Sequence, residues 1–133
     1  MNRTAFAVSW TLPFLPMTEA TRRILLVEDE PMIAFALEDM VLDLGFEVVG
    51  PAYRLSEALE LAQSAEFEVA VLDVNLNEER SFPVADLLRK RGIPFLFATG
   101  YAEGGVGWTG EATVIAKPYS RDQLARALRS LIG

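Results

Sequence analysis

Two kinds of apolar pattern take turns along this chain. Ile24-Leu25-Leu26-Val27, Val69-Ala70-Val71-Leu72, Phe95-Leu96-Phe97-Ala98 and Val114-Ile115-Ala116 are uninterrupted apolar runs, as in strands buried on both faces of a parallel sheet. Phe46-Glu47-Val48-Val49-Gly50 reads as a further short strand. Between these runs the apolar positions recur at helical spacing. Ile33, Leu37, Met40, Val41 and Leu44 predict a first helix that opens at Pro31, where a missing N–H costs nothing, and stops at Gly45. Ser56 is placed to cap a second helix that turns Leu59 and Ala62 inward. Pro83 to Arg91 forms a third, with Val84, Leu87 and Leu88 on its buried side and Gly92 behind it. Leu124, Ala127, Leu128 and Leu131 mark a last amphipathic helix. Strands and helices alternating at this spacing imply right-handed crossovers and a doubly wound parallel sheet.

Two stretches depart from the scheme. Where a fourth helix belongs, residues 100–112 carry Gly100, Gly104, Gly105, Gly107 and Gly110. Each interior glycine disfavours a helix by about 1 kcal/mol relative to alanine, so a loop or one short turn is expected, a short or irregular fourth helix at most. The first twenty residues are apolar at Phe6, Val8, Trp10, Leu12, Phe14 and Leu15 but are interrupted by Pro13 and Pro16, and they are too short to span a membrane. Residues 1–21 are therefore expected to be an N-terminal extension of a single domain over 22–133. Met17 is a natural start for that domain, so residues 1–16 read either as an upstream extension of the reading frame or as a tail packed on an exposed apolar face.

Composition narrows the chemistry. A formal charge of −7 with 12 Lys and Arg argues against nucleic acid as a partner, and the one dense basic run, Arg89-Lys90-Arg91, reads as a solvated helix end. With no cysteine and no histidine, the chain has no disulfide, no thiolate or imidazole metal ligand, no Ser-His hydrolytic pair and no phosphohistidine of its own.

What remains gathers at the carboxyl ends of the strands, the edge where open α/β sheets bind ligands. The first strand ends in Glu28 and Asp29, the third in Asp73, the fourth at Thr99 and the fifth at Lys117. Clustered carboxylates suit a hard cation such as Mg²⁺. A metal alone leaves the lysine and hydroxyl unexplained, whereas a tetrahedral anion held beside the metal accounts for both. A carboxylate nucleophile, a divalent metal, a lysine and a hydroxyl are the parts needed for phosphoryl transfer to an aspartate.

With these motifs in this order, residues 22–133 resemble the receiver domain of two-component response regulators, the CheY-like family. The resemblance implies a flavodoxin-like five-stranded parallel sheet of order 2-1-3-4-5. It implies Asp73 as phosphoacceptor, with Asp29, Asp73 and the backbone carbonyl of Asn75 binding Mg²⁺ and Glu28 acting mostly through water. Thr99 would be the switch hydroxyl, and Lys117, followed by a cis Pro118, would contact the phosphate. Pro94-Phe95-Leu96-Phe97-Ala98-Thr99-Gly100-Tyr101 is similar to the signature of the stand-alone FAT GUY receivers of bacterial stress-response phosphorelays. Two departures stand out. The aromatic switch position three residues before the lysine is Val114, so that Tyr101 would take over part of its role, and Asn75-Leu76-Asn77-Glu78 replaces the usual Pro-Gly turn.

The function implied is that of a cytoplasmic, stand-alone receiver, monomeric or weakly dimeric. It takes a phosphoryl group from a histidine kinase or histidine phosphotransfer protein, hydrolyses it slowly rather than acting as a turnover enzyme, and signals by contact with a downstream protein, with no membrane involved. Two alternatives stay open: a pseudo-receiver that binds partners without phosphorylation, and a metal-dependent phosphatase, which would want a second acid where Asn75 stands.

Overall fold

The computed structural model describes residues 21–100 and 106–133. Nearly all of the expected N-terminal extension, together with Tyr101 and the first part of the Gly-rich segment, lies outside the described residues.

The sheet follows from the apolar runs. Strand β1 (Arg23–Val27) pairs in parallel with β2 (Glu47–Ala52) on one side and β3 (Val69–Asp73) on the other; β6 (Phe95–Thr99) and β7 (Thr113–Ala116) continue outward from β3. Counting sheet strands alone, the order is 2-1-3-4-5, as the resemblance implies. Every residue of β3 and β6 is buried, because helices cover both faces. Edge strand β7 is half-exposed.

Successive side chains of a strand point to opposite faces, so each run feeds two cores. Ile24, Leu26, Val69, Val71, Leu96 and Ala98 pack toward α1 (Pro31–Asp43) and α4 (Arg121–Ile132). Leu25, Val27, Ala70, Leu72, Phe95 and Phe97 pack toward α2 (Leu55–Ser64) and α3 (Phe82–Arg91). Helix α4 starts with a reciprocal capping box, Ser120 Oγ accepting from the Gln123 N–H while the Gln123 side chain accepts from the Ser120 N–H.

Several local expectations are corrected. Ser56 does not cap α2: the cap position is Arg54 and the helix begins at Leu55, with Ala58 and Ala62 buried and Leu59 partly buried against the same core. Ile33 is partly exposed on α1, where Ala34, Leu37 and Val41 form the buried face. Strand β2 extends past Gly50 to Ala52 through a cis Gly50–Pro51 bond. Gly50 has φ +94°, and a Cβ there would lie 2.8 Å from the Ala52 nitrogen and 3.0 Å from the Leu26 carbonyl, so only glycine fits. After β3, Asn75–Leu76 (β4) and Glu79–Arg80 (β5) form a small antiparallel hairpin that the sequence pattern does not announce.

Residues 106–112 form no helix, in line with the glycine content. Trp108 instead covers the sheet there. Its ring meets Phe95 and Phe97 edge-to-face at centroid distances of 5.4 and 5.8 Å, and its indole N–H donates to Asp86 Oδ1 at 2.9 Å. The Arg89 guanidinium lies 4.8 Å from the ring centroid.

Candidate functional site

Parallel pairing brings the ends of β1, β3, β6 and β7 to one edge of the sheet. Asp73 is paired with Ala98 on β6, Thr99 is paired with Ala116 on β7, and the Lys117 N–H donates to the Thr99 carbonyl at 2.8 Å. Residues far apart in the chain are thus held by backbone bonds.

The side chains converge to match. One carboxylate oxygen from each of Glu28, Asp29 and Asp73 lies within 4.8 Å of the others. Lys117 Nζ donates to Glu28 Oε1 at 2.7 Å and sits 3.4 Å from Asp73 Oδ2, crossing the site from β7 to β1 and β3. Glu28 is 1% exposed and Asp73 8%, so these charges are largely withdrawn from water. Thr99 is buried at the end of β6. The Lys117–Pro118 bond is cis.

The electrostatics follow from this crowding. Asp73 is raised from 3.8 to about 7, first by burial and next by the field of Glu28; Lys117 opposes the rise without cancelling it. Lys117 itself is raised, because its hydrogen bond to Glu28 and the fields of Asp73 and Glu28 outweigh the burial that favours its neutral form. An excess of buried negative charge is what a divalent cation relieves, and three carboxylates with oxygens this close fit Mg²⁺, a hard ion taking oxygen ligands.

Asn75, expected to offer its backbone carbonyl to the metal, is exposed in β4 and paired with Arg80. Two residues near the site were not singled out from sequence. The Asn77 N–H donates to Asp29 Oδ2 at 2.8 Å, from a backbone with φ 50° that asparagine tolerates better than most residues. An asparagine in a four-residue polar stretch after a strand is a turn signal that could have found it. Half-buried Tyr119 feels the site, its phenol pushed up by burial and by the charges of Glu28 and Asp73. Tyr101 lies outside the described residues.

With this geometry established, the comparisons place the chain. It is 39% identical over 103 residues to the phyllosphere-induced regulator PhyR of Methylorubrum extorquens, which covers 72% of this chain but 38% of PhyR. It is 29% identical over 127 residues to the transcriptional regulatory protein PdtaR of Mycobacterium tuberculosis, covering 89% of this chain and 62% of PdtaR. The chain therefore spans 38% of one of these relatives and 62% of the other, less than two thirds of either. Among solved structures, SdrG of Sphingomonas melonis Fr1 is 40% identical with a TM-score of 0.75, over 86% of this chain and 98% of SdrG. The receiver domain of the sensor histidine kinase PA1611 of Pseudomonas aeruginosa, which has a magnesium ion in its active-site cleft, is 26% identical with a TM-score of 0.76, over 86% of this chain and 99% of that domain. The family profile described as response regulator receiver domain matches residues 24–129, most of the chain, and the chain accordingly belongs to the response regulator receiver family of two-component signalling.

Proposed function

We propose that this receiver takes a phosphoryl group onto Asp73 from a phosphohistidine of a histidine kinase or phosphotransfer protein, with Mg²⁺ required. The observation that carries the reading is the cluster of buried Glu28 and Asp73 with half-buried Asp29, in which Lys117 Nζ bridges Glu28 and Asp73 at 2.7 and 3.4 Å. Asp73 presents a carboxylate oxygen to the phosphorus; the new O–P bond forms as the P–N bond breaks, its electron pair leaving with the donor imidazole, which departs with a proton. Lys117 donates to a phosphoryl oxygen, exchanging part of its bond to Glu28 for the incoming charge. Thr99 supplies a hydroxyl from the neighbouring strand end. Glu28, Asp29 and Asp73, with the Asn75 carbonyl, would hold Mg²⁺, which when bound neutralises charge on the transferring group.

Transfer to Asp73 makes the family's signalling module act as a switch. Added charge beside Thr99 and Lys117 biases their positions and that of Tyr101, and a protein partner reads the change. We place the chain with the FAT GUY receivers on its Phe95 to Tyr101 signature, in a cytoplasmic phosphorelay, as a monomer or weak dimer with residues 22–133 as the folded unit. Support for the stress-response setting comes from PhyR, described as a stress response regulator and, in Bartonella quintana, as an anti-anti-sigma factor.

Phosphoramidate, a small donor with a P–N bond, tests the chemistry without a cognate kinase. Phosphorus NMR should show an acyl phosphate that forms only with Mg²⁺ and decays over minutes to hours. Repeated rapid turnover of the donor would favour a phosphatase, and no acyl phosphate from any phosphohistidine donor would favour a pseudo-receiver.

A further inference from the structure

The loop after β3 is held rather than slack. Leu76 is 1% exposed and belongs to the same buried cluster as Leu72, Val74 and Phe97. The hairpin pairs Leu76 with Glu79 and Asn75 with Arg80, and the Ser81 N–H closes its base on the Val74 carbonyl at 2.9 Å. Asn77 and Glu78 are left as a two-residue tip fixed from both sides. From that tip Asn77 reaches back to the end of β1, its backbone N–H donating to Asp29 Oδ2 at 2.8 Å. The bond needs φ 50°, which asparagine adopts more readily than most residues. Proline is fixed near about −65° and has no N–H, so the exchange of the usual Pro-Gly turn for Asn75–Glu78 is what brings this donor to the acids.

That donor decides what Asp29 can offer a cation. With Oδ2 engaged, binding through both oxygens would break a charge-assisted hydrogen bond, whereas binding through one leaves it intact. The neighbouring acids are restricted in the same way. Glu28 Oε1 accepts from Lys117 Nζ at 2.7 Å and Glu28 Oε2 from the Glu30 N–H at 3.1 Å, so Glu28 reaches a cation through water. Asp73 Oδ2 faces Lys117 Nζ at 3.4 Å. Asp29 and Asp73 therefore bring one oxygen apiece. A small octahedral ion such as Mg²⁺ suits that set, because it takes one oxygen from each of one or two carboxylates and keeps several waters. Ca²⁺ takes about six to eight oxygens at longer distances, commonly through two-oxygen carboxylates, and is poorly served by it.

We infer that Asn77 is a positioning residue of the metal centre: its backbone N–H, held on the β4–β5 hairpin, keeps Asp29 a one-oxygen ligand and so makes the cleft select Mg²⁺ against Ca²⁺. The inference rests on the metal binding proposed above at Glu28, Asp29 and Asp73, and not on phosphoryl transfer.

Calorimetric titration of the EDTA-stripped full chain with MgCl₂ and, separately, with CaCl₂ tests it without any phosphodonor. The wild type should bind Mg²⁺ more tightly than Ca²⁺. Asn77→Val disfavours φ 50° and draws the N–H off Asp29, so Mg²⁺ affinity should fall several-fold while Ca²⁺ affinity holds or rises. Asn77→Gly accepts φ 50° and retains the N–H, and should restore the wild-type preference. A role in folding alone would weaken both ions alike. Should circular dichroism show the valine variant unfolded, proton NMR of the wild type carries the comparison: the Asn77 amide should stay shifted downfield with Mg²⁺ bound and move upfield at saturating Ca²⁺. Equal losses for both ions, a wild type that prefers Ca²⁺, or an amide indifferent to which ion is bound overturns the inference. A wild type that binds neither ion overturns it together with the metal requirement proposed above. An intact Mg²⁺ preference in a chain that takes up no phosphate supports it and removes the proposed function alone.

Discussion

Replacing Asp73 by asparagine should stabilise the metal-free protein above neutral pH, although it removes the proposed phosphoacceptor. The carboxyl is raised from 3.8 to about 7, by burial first and the Glu28 charge second. The folded state therefore holds this proton more tightly than the unfolded chain does. Its contribution is fully present below about pH 4, declines as pH rises, and is lost once pH passes about 7. At about 1.4 kcal/mol per tenfold, the full rise corresponds to at most about 4 kcal/mol. The Asp73 side chain keeps 10% exposure and Lys117 sits 3.4 Å away, so about 2 to 3 kcal/mol is the realistic expectation. Denaturant unfolding in EDTA, with wild type and Asp73→Asn compared at about pH 5 and pH 8, isolates the effect because the other carboxylates cancel in the difference. Because part of the contribution is already lost at pH 5, the variant's advantage should grow by about 1 kcal/mol, and by no more than about 2.6 kcal/mol, between the two pH values, and Mg²⁺ should erase it by stabilising the wild type selectively. A difference independent of pH, or a variant less stable at pH 8, would refute the reasoning.

Three further outcomes are expected. Lys117→Ala leaves Glu28 and Asp73 facing each other without their cation, and should lower metal-free stability at neutral pH by about 2 to 3 kcal/mol in denaturant titrations while abolishing acyl-phosphate formation. Gly110→Ala would put a Cβ 2.4 Å from the Trp108 ring, so it should lower the Tm and red-shift Trp108 emission, whereas Trp108→Ala should cost about 2 to 4 kcal/mol through the lost contacts with Phe95 and Phe97. Asn77→Gly should keep Mg²⁺ affinity, since glycine accepts φ 50° and retains the N–H bonded to Asp29, while Asn77→Val should weaken it several-fold by calorimetry.

The sheet was legible because β3 and β6 are buried on both faces, which leaves uninterrupted apolar runs; the comparable run Met32–Leu37 reads as helix only because Pro31 opens it and Met40, Val41 and Leu44 continue it at helical spacing. Glu28, Asp73, Thr99 and Lys117 were placed together for a related reason: each directly follows or ends such a run, so parallel topology alone sends them to one edge. Local features were harder to read. Ser56 has the chemistry of a cap, but the cap position is Arg54, and a two-residue shift of a helix start leaves little trace in sequence. The Asn75–Arg80 hairpin is too short and too exposed to show an apolar alternation, and with it went the role of Asn77. The glycines of residues 100–112 argued against a long helix, and residues 106–112 form none, yet nothing in that composition says that Trp108 would lie over Phe95 and Phe97.

Phosphoryl transfer to Asp73 is tested most directly by the intact mass of the protein after incubation with acetyl phosphate and Mg²⁺, run beside Asp73→Asn and an EDTA control. A gain of one phosphoryl group in the wild type, absent from both controls, is the expected result. A gain that persists in Asp73→Asn would place the acceptor elsewhere. No gain here or with phosphohistidine donors would leave the acid cluster a metal site or a structural feature, in a receiver that does not take up phosphate.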